Sequence, residues 1–119
     1  SVMVYDPLAN SWTWSGAGGS NLAPLPEARG GMGKAVHFRG EFYVFGGETL
    51  DDPDANANGV YGRVDVYDPL ANTWRSEAAM PNPRHGIFPV LFQGHMFLPG
   101  GGAYSANSQS ALFDTFTRQ

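Results

Sequence analysis

The residues Asp54-x-Asn56-x-Asn58-Gly59 have the spacing that opens a calcium loop, and Asp65 falls at the twelfth position, where such loops place a bidentate carboxylate. Hard cations need clustered oxygens of this kind. The signal is incomplete, because no helical pattern flanks it, the last ligand is Asp rather than Glu, and Asp65 lies in a predicted strand. The competing reading is a solvated loop in which Asp, Asn and Gly favour turns, and there Asp51 and Asp52 become candidate contacts for a protein. A second group, Glu27, Arg29, Arg84 and His85, offers acid, base and cation at related positions. His37 and His95 are scattered relative to these and are expected to be ordinary strand residues. No paired-carboxylate spacing, nucleophile elbow or strand-to-helix phosphate loop is present.

The composition limits what can position these groups. The 119 residues are 42% hydrophobic and only 15% charged, with 16 Gly and 9 Pro, too apolar for disorder and too rich in turn formers for helices. An all-β fold follows. A net charge of −4 leaves no footprint for nucleic acid or an anionic membrane. The longest apolar runs, such as Phe42 to Phe45, fall far below the roughly 20 residues of a spanning helix, so a soluble chain is expected. With no Cys, disulfides, thiolate metal sites and cysteine nucleophiles are excluded. Neither composition nor any leader-like segment fixes a compartment, and the start at Ser1 reads as internal to a longer gene.

The chain repeats. Tyr5-Asp6-Pro7-Leu8-Ala9-Asn10-Ser11-Trp12 recurs as Tyr67-Asp68-Pro69-Leu70-Ala71-Asn72-Thr73-Trp74, and Leu25-Pro26 through Gly46-Gly47 recurs as Met80-Pro81 through Gly100-Gly101. Arg29 then aligns with Arg84, Gly40 with Gly94, and Leu112-Phe113-Asp114 with Val66-Tyr67-Asp68. Tyr5 to Phe113 spans 108 residues over two units, a mean of 54. Strands are predicted over Gly33 to Phe38, Glu41 to Phe45, Val60 to Tyr67, from Thr73 onward, Ile87 to Phe92 and His95 to Leu98. Arg39-Gly40 and Gln93-Gly94 suit tight hairpins with positive φ, while Asp-Pro-Leu-Ala-Asn suits a turn closed by the Asp side chain. Four short strands, A to D, thus form each unit, and units this small must stack, as the blades of a β-propeller do.

A Gly-Gly pair ending strand B, followed by Tyr and Trp separated by six residues across strands C and D, resembles the kelch repeat. Gly46, Gly47, Gly100 and Gly101 with Tyr5, Trp12, Tyr67 and Trp74 carry the resemblance over almost the whole chain, and Arg29 and Arg84 match the Arg that opens its strand A. It implies kelch-type propeller blades in an incomplete ring, with the glycines letting blades approach and the aromatics packing between them. Residues 1–14 supply strands C and D of one blade, 25–77 a complete blade, and 80–119 strands A to C of a third. With the same Tyr-to-Trp spacing after Phe113, the final aromatic falls at position 120, one past Gln119. The expectation is a fragment whose remaining blades lie elsewhere, or else further copies, three of which would close about six blades.

The resemblance further implies a non-catalytic scaffold that meets a protein partner through the B–C and D–A loops, which share one face. Candidate contacts there are Arg29, Arg84, His85, Asp51, Asp52 and Tyr104, with no cofactor required except, on the loop reading above, calcium. Two alternatives follow from the same family. A sugar mutarotase-like enzyme would use Arg29, Arg84, His85 and Glu27, whereas a copper oxidase of this fold needs a Cys that is missing. A carbohydrate-binding propeller would stack sugars on Trp14 and Tyr104.

Overall fold

The computed structural model describes residues 1–49 and 58–104, and among these every regular element is a strand. In chain order they are β1 (Met3–Asp6), β2 (Ser11–Trp14), β3 (Val36–Phe38), β4 (Glu41–Phe45), β5 (Val64–Asp68), β6 (Thr73–Glu77), β7 (Val90–Phe92) and β8 (His95–Phe97). They form a two-stranded sheet β1-β2, a four-stranded antiparallel meander β3-β4-β5-β6, and a second two-stranded sheet β7-β8. The architecture is all-β and consists of kelch-type blades in an incomplete ring. No helix among the described residues is long and apolar enough to cross a membrane. The expected strand at 110–115 lies outside the described residues.

Local chemistry explains the connections. Arg39 and Gly40 take φ of 52° and 84°, and Gln93 and Gly94 take 49° and 76°, so both hairpins turn through paired left-handed residues whose twist matches that of the strands. The Asp-Pro-Leu-Ala-Asn segments are closed alike. Asp6 Oδ1 accepts the N–H groups of Leu8 and Ala9, and Asp68 Oδ1 accepts those of Leu70 and Ala71.

The core lies between sheets rather than inside one. Val36, Phe45, Val64 and Ile87 form its buried cluster, with Phe38, Tyr43, Met80, Met96 and Leu98 packed around it. Ile87 belongs to the third unit and is fully buried against the second. This shortens two predicted strands. Gly33, at φ 83°, bridges Ile87 instead of continuing β3, and a Cβ on it would stand 2.0 Å from the Ile87 carbonyl oxygen. The stretches before β3 and β7 are thus used to join two blades, and regular pairing begins only at Val36 and Val90. Likewise β5 begins at Val64 rather than Val60, because Val60 bridges Glu48 and the Tyr61 N–H bonds to the Gly47 carbonyl.

Gly46 shows why the glycine pair is needed. Its φ is 57° and a Cβ there would lie 2.1 Å from the Arg84 carbonyl oxygen, so only glycine lets the third unit approach. The next residue's N–H, that of Gly47, donates to that same carbonyl at 3.0 Å.

Candidate site at the strand A arginines

Arg29 and Arg84 occupy equivalent places on the backbone. After Arg29, Gly30 exchanges two backbone hydrogen bonds with Glu48, and after Arg84, His85 exchanges two with Gly102. Each arginine also packs against the second glycine of its own pair, Arg29 on Gly47 and Arg84 on Gly101. The side chains end in different surroundings.

The Arg29 side chain is wholly buried, and its Nη2 lies 2.7 Å from Asp65 Oδ2 as an ion pair without hydrogen-bond alignment. Its Nε donates to the Gly46 carbonyl at 2.7 Å, its Nη1 donates to the Glu27 carbonyl at 3.3 Å, and the guanidinium stands 5.8 Å from the centre of the Tyr61 ring. Asp65, also fully buried, is held from the other side by Arg63, whose Nε and Nη2 donate to its two oxygens at 3.1 and 3.0 Å. Ser76 Oγ donates to Asp65 Oδ1 at 2.8 Å. Burial works to raise the Asp65 pKa, but the hydrogen bonds from Arg63 and Ser76 and the charges of Arg29 and Arg63 outweigh it and hold the carboxyl below its ordinary 3.8.

Two sequence expectations fall on these residues. Asp65, the expected twelfth loop position, faces two guanidinium groups whose charge opposes a cation at its carboxylate. Arg29, an expected contact residue, is enclosed by Asp65 and two carbonyls. Of the other proposed metal ligands, Asp54 and Asn56 lie outside the described residues, as do Asp51 and Asp52, while Asn58 sits in the turn before Val60.

Arg84 has no such enclosure. It is 4% exposed, and its Nε and Nη1 have no hydrogen-bond partner among the described residues. Burial pulls its pKa below the ordinary value, with no carboxylate beside it among the described residues. Buried guanidinium nitrogens without a partner are costly. In the repeat, the residues aligned with Asp65 are Met3 in the first unit and Ala111 in the third. That difference was readable in the alignment, but its meaning depended on knowing that the strand C position faces the strand A arginine.

Beside Arg84, His85 Nε2 lies 2.7 Å from the Tyr104 carbonyl oxygen, a contact in which the ring N–H donates, and His85 Nδ1 is 3.7 Å from Glu48 Oε1. Arg84, His85, Glu48 and Tyr104 are therefore brought to one place at the junction of the second and third units. Glu27 contributes its carbonyl to this region, through Arg29. Trp14 is on β2 and His37 and His95 are on β3 and β8, His37 tilted against Phe42 and His95 Nδ1 against the Gln93 carbonyl. Among the described residues, no group of three or more His, Cys, Asp and Glu side chains could hold a metal ion.

The Tyr and Trp of the repeat act differently from the expected inter-blade packing. Tyr67 and Trp74 pair with each other across β5 and β6, ring centres 4.9 Å apart, and Tyr5 and Trp12 pair in the same way at 5.0 Å. In the second unit their polar atoms hold a connecting segment. The Trp74 Nε1 donates to the Ala23 carbonyl, Asn72 Oδ1 accepts from the Ala23 N–H, and Asn72 Nδ2 donates to the Asn21 carbonyl.

Comparison with known proteins agrees with this architecture. No protein-family model matches the chain. It is 34% identical over 94 residues to a Kelch-like protein of Aspergillus terreus, covering 78% of this chain and 19% of that protein. It is 31% identical over 118 residues to an F-box/kelch-repeat protein of Arabidopsis thaliana, covering 99% of this chain and 28% of that one. A Kelch-like ECH-associated protein of Danio rerio is 30% identical over 98 residues, 82% of this chain and 15% of its own length. The chain thus spans less than a third of these curated relatives.

Proposed function

Because the chain belongs to the kelch-repeat family, we propose that it is part of a non-catalytic scaffold that binds a protein partner at the junction of its second and third units, with Arg84 as the anchor. The observation that carries this reading is the buried Nε and Nη1 of Arg84, without a hydrogen-bond partner among the described residues, at a position where Arg29 is paired with a carboxylate. A partner's Asp or Glu would do at Arg84 what Asp65 does at Arg29. His85 and Tyr104 flank it, and Asp51 and Asp52 are further candidate contacts. Kelch-like and kelch-repeat relatives support a role in protein interaction, and one of them is named for its association with another protein. No nucleic acid, membrane or cofactor enters this reading.

The test is a displayed peptide library selected on the wild-type chain and on Arg84→Met. Enrichment of Asp and Glu on the wild type, lost in Arg84→Met with an unchanged melting temperature, supports the proposal. Equal enrichment on both proteins removes Arg84 from it. An unfolded variant would make the residue structural.

A further inference from the structure

The alignment that pairs Arg29 with Arg84 also pairs Gly30 with His85 and Glu48 with Gly102. Within each unit these residues exchange backbone hydrogen bonds, Gly30 with Glu48 and His85 with Gly102. Glycine thus stands opposite the side chain in both pairs, and the carboxylate of the second unit meets the imidazole of the third across the junction. Glu48 lies over Gly31, where a Cβ would stand 3.0 Å from its Oε1, and the Gly31 carbonyl accepts the Gly86 N–H from the third unit. The two side chains therefore meet beside a backbone bond that joins the units.

The His85 ring faces an acceptor on each side. Its Nε2 is 2.7 Å from the Tyr104 carbonyl oxygen and its Nδ1 is 3.7 Å from Glu48 Oε1. A carbonyl only accepts, so the single N–H of the neutral ring is held on Nε2, and Nδ1 turns a lone pair towards the carboxylate. Only the doubly protonated ring can donate on both sides. The His85 and Glu48 side chains are 25% and 24% exposed, open enough to exchange protons with solvent and shielded enough for their charges to act on each other. Of the charged groups beside the ring, Glu48 favours the imidazolium, and Arg84, its neighbour in the chain, opposes it.

We propose that His85 and Glu48 form a pH-sensitive latch between the second and third units. On protonation, His85 Nδ1 donates to the Glu48 carboxylate while Nε2 keeps the Tyr104 carbonyl, and the junction tightens. The stabilisation belongs to the imidazolium, so it is present at the acidic end and is lost as pH rises through the titration of His85. The latch involves neither the Arg84 guanidinium nor a bound partner, and it does not depend on the interface proposed there.

Hydrogen exchange at the Gly47 and Gly86 amides reads the junction directly, because these N–H groups donate across it to the Arg84 and Gly31 carbonyls. Corrected for the intrinsic pH dependence of exchange, their protection should rise about 3-fold or more between about pH 7.5 and about pH 5.5, an interval that crosses the ordinary histidine value and stays above that of glutamate. Glu48→Gln, whose amide N–H can donate to the Nδ1 lone pair of the neutral ring, should remove that rise. On the unmodified protein, the ring nitrogen shifts of His85 should place the proton on Nε2 at the upper pH and on both nitrogens at the lower, a readout that needs no folded variant. Protection that does not rise in the wild type, or rises equally in Glu48→Gln, would overturn the proposal. So would a neutral ring that carries its proton on Nδ1.

Discussion

Arg29 and Arg84 have the same place in the repeat and the same glycine beside them, but only Arg29 has a carboxylate. The pair Arg29–Asp65, with Arg63 and Ser76 completing the carboxylate, is an internal part of the second unit. Arg84 is a buried cation whose Nε and Nη1 have no hydrogen-bond partner among the described residues. Equivalent backbone geometry therefore does not bring equivalent surroundings for the guanidinium. Removing an ion-pair partner from a buried charge costs far more than the pair itself contributes, so the two arginines should respond oppositely to substitution.

The largest effect is expected from Asp65→Asn, which leaves the buried Arg29 and the Arg63 beside it without their counter-charge. A loss of about 3–5 kcal/mol in urea unfolding is the expected outcome, and a loss under about 1 kcal/mol would erase the contrast. Ile87→Ala, which opens a cavity between the second and third units, should cost about 3 kcal/mol in the same experiment. Little change there would mean that the units are not joined through the core described.

An acid titration sharpens the comparison. The folded pKa of Asp65 is depressed, so its contribution is fully present above the unfolded value near 3.8 and is lost as pH falls from there through the folded pKa. Stability measured from pH 5 downward should fall more steeply in the wild type than in Asp65→Asn. Parallel curves would show that other carboxylates dominate. Arg84→Met should change stability by less than about 1 kcal/mol, or raise it, since it replaces an uncompensated buried cation by an apolar chain. A large loss would assign Arg84 to the framework and remove it from the proposed interface. The smallest effect belongs to Arg75→Ala: its pairing with Glu41 and Glu77 is solvent-exposed, and the melting temperature should barely move.

Much of the fold was legible from one chain because repeats supply their own alignment. The hairpin turns at Arg39-Gly40 and Gln93-Gly94 followed from residue type, since positive φ restricts the choice to few side chains. The Asp6 and Asp68 turns followed from the reach of a short carboxylate to the backbone just ahead of it. The strand beginnings were less legible: Gly33 and Ile87 look like strand residues locally, but they are spent on joining one unit to the next.

The candidate site was legible by position, while the surroundings of its side chains were not. Arg29 and Arg84 stood out together, yet the alignment alone did not separate them, because an ion pair across strands leaves no spacing signal. Asp65 looked like the end of a metal loop for the same reason: twelve-residue spacing describes the chain, whereas the charges around a carboxylate depend on what packs over it.

The sequence by itself determined an all-β chain of short meanders, the repeat and its turns, since these depend on residues close together in the chain. Only the tertiary structure decided that Asp65 neutralises Arg29, that Arg84 has no such carboxylate among the described residues, and that Tyr67, Asn72 and Trp74 hold a segment some 50 residues away. Those outcomes arise where distant segments meet in a low-dielectric interior, where the presence or absence of one carboxylate outweighs any local preference.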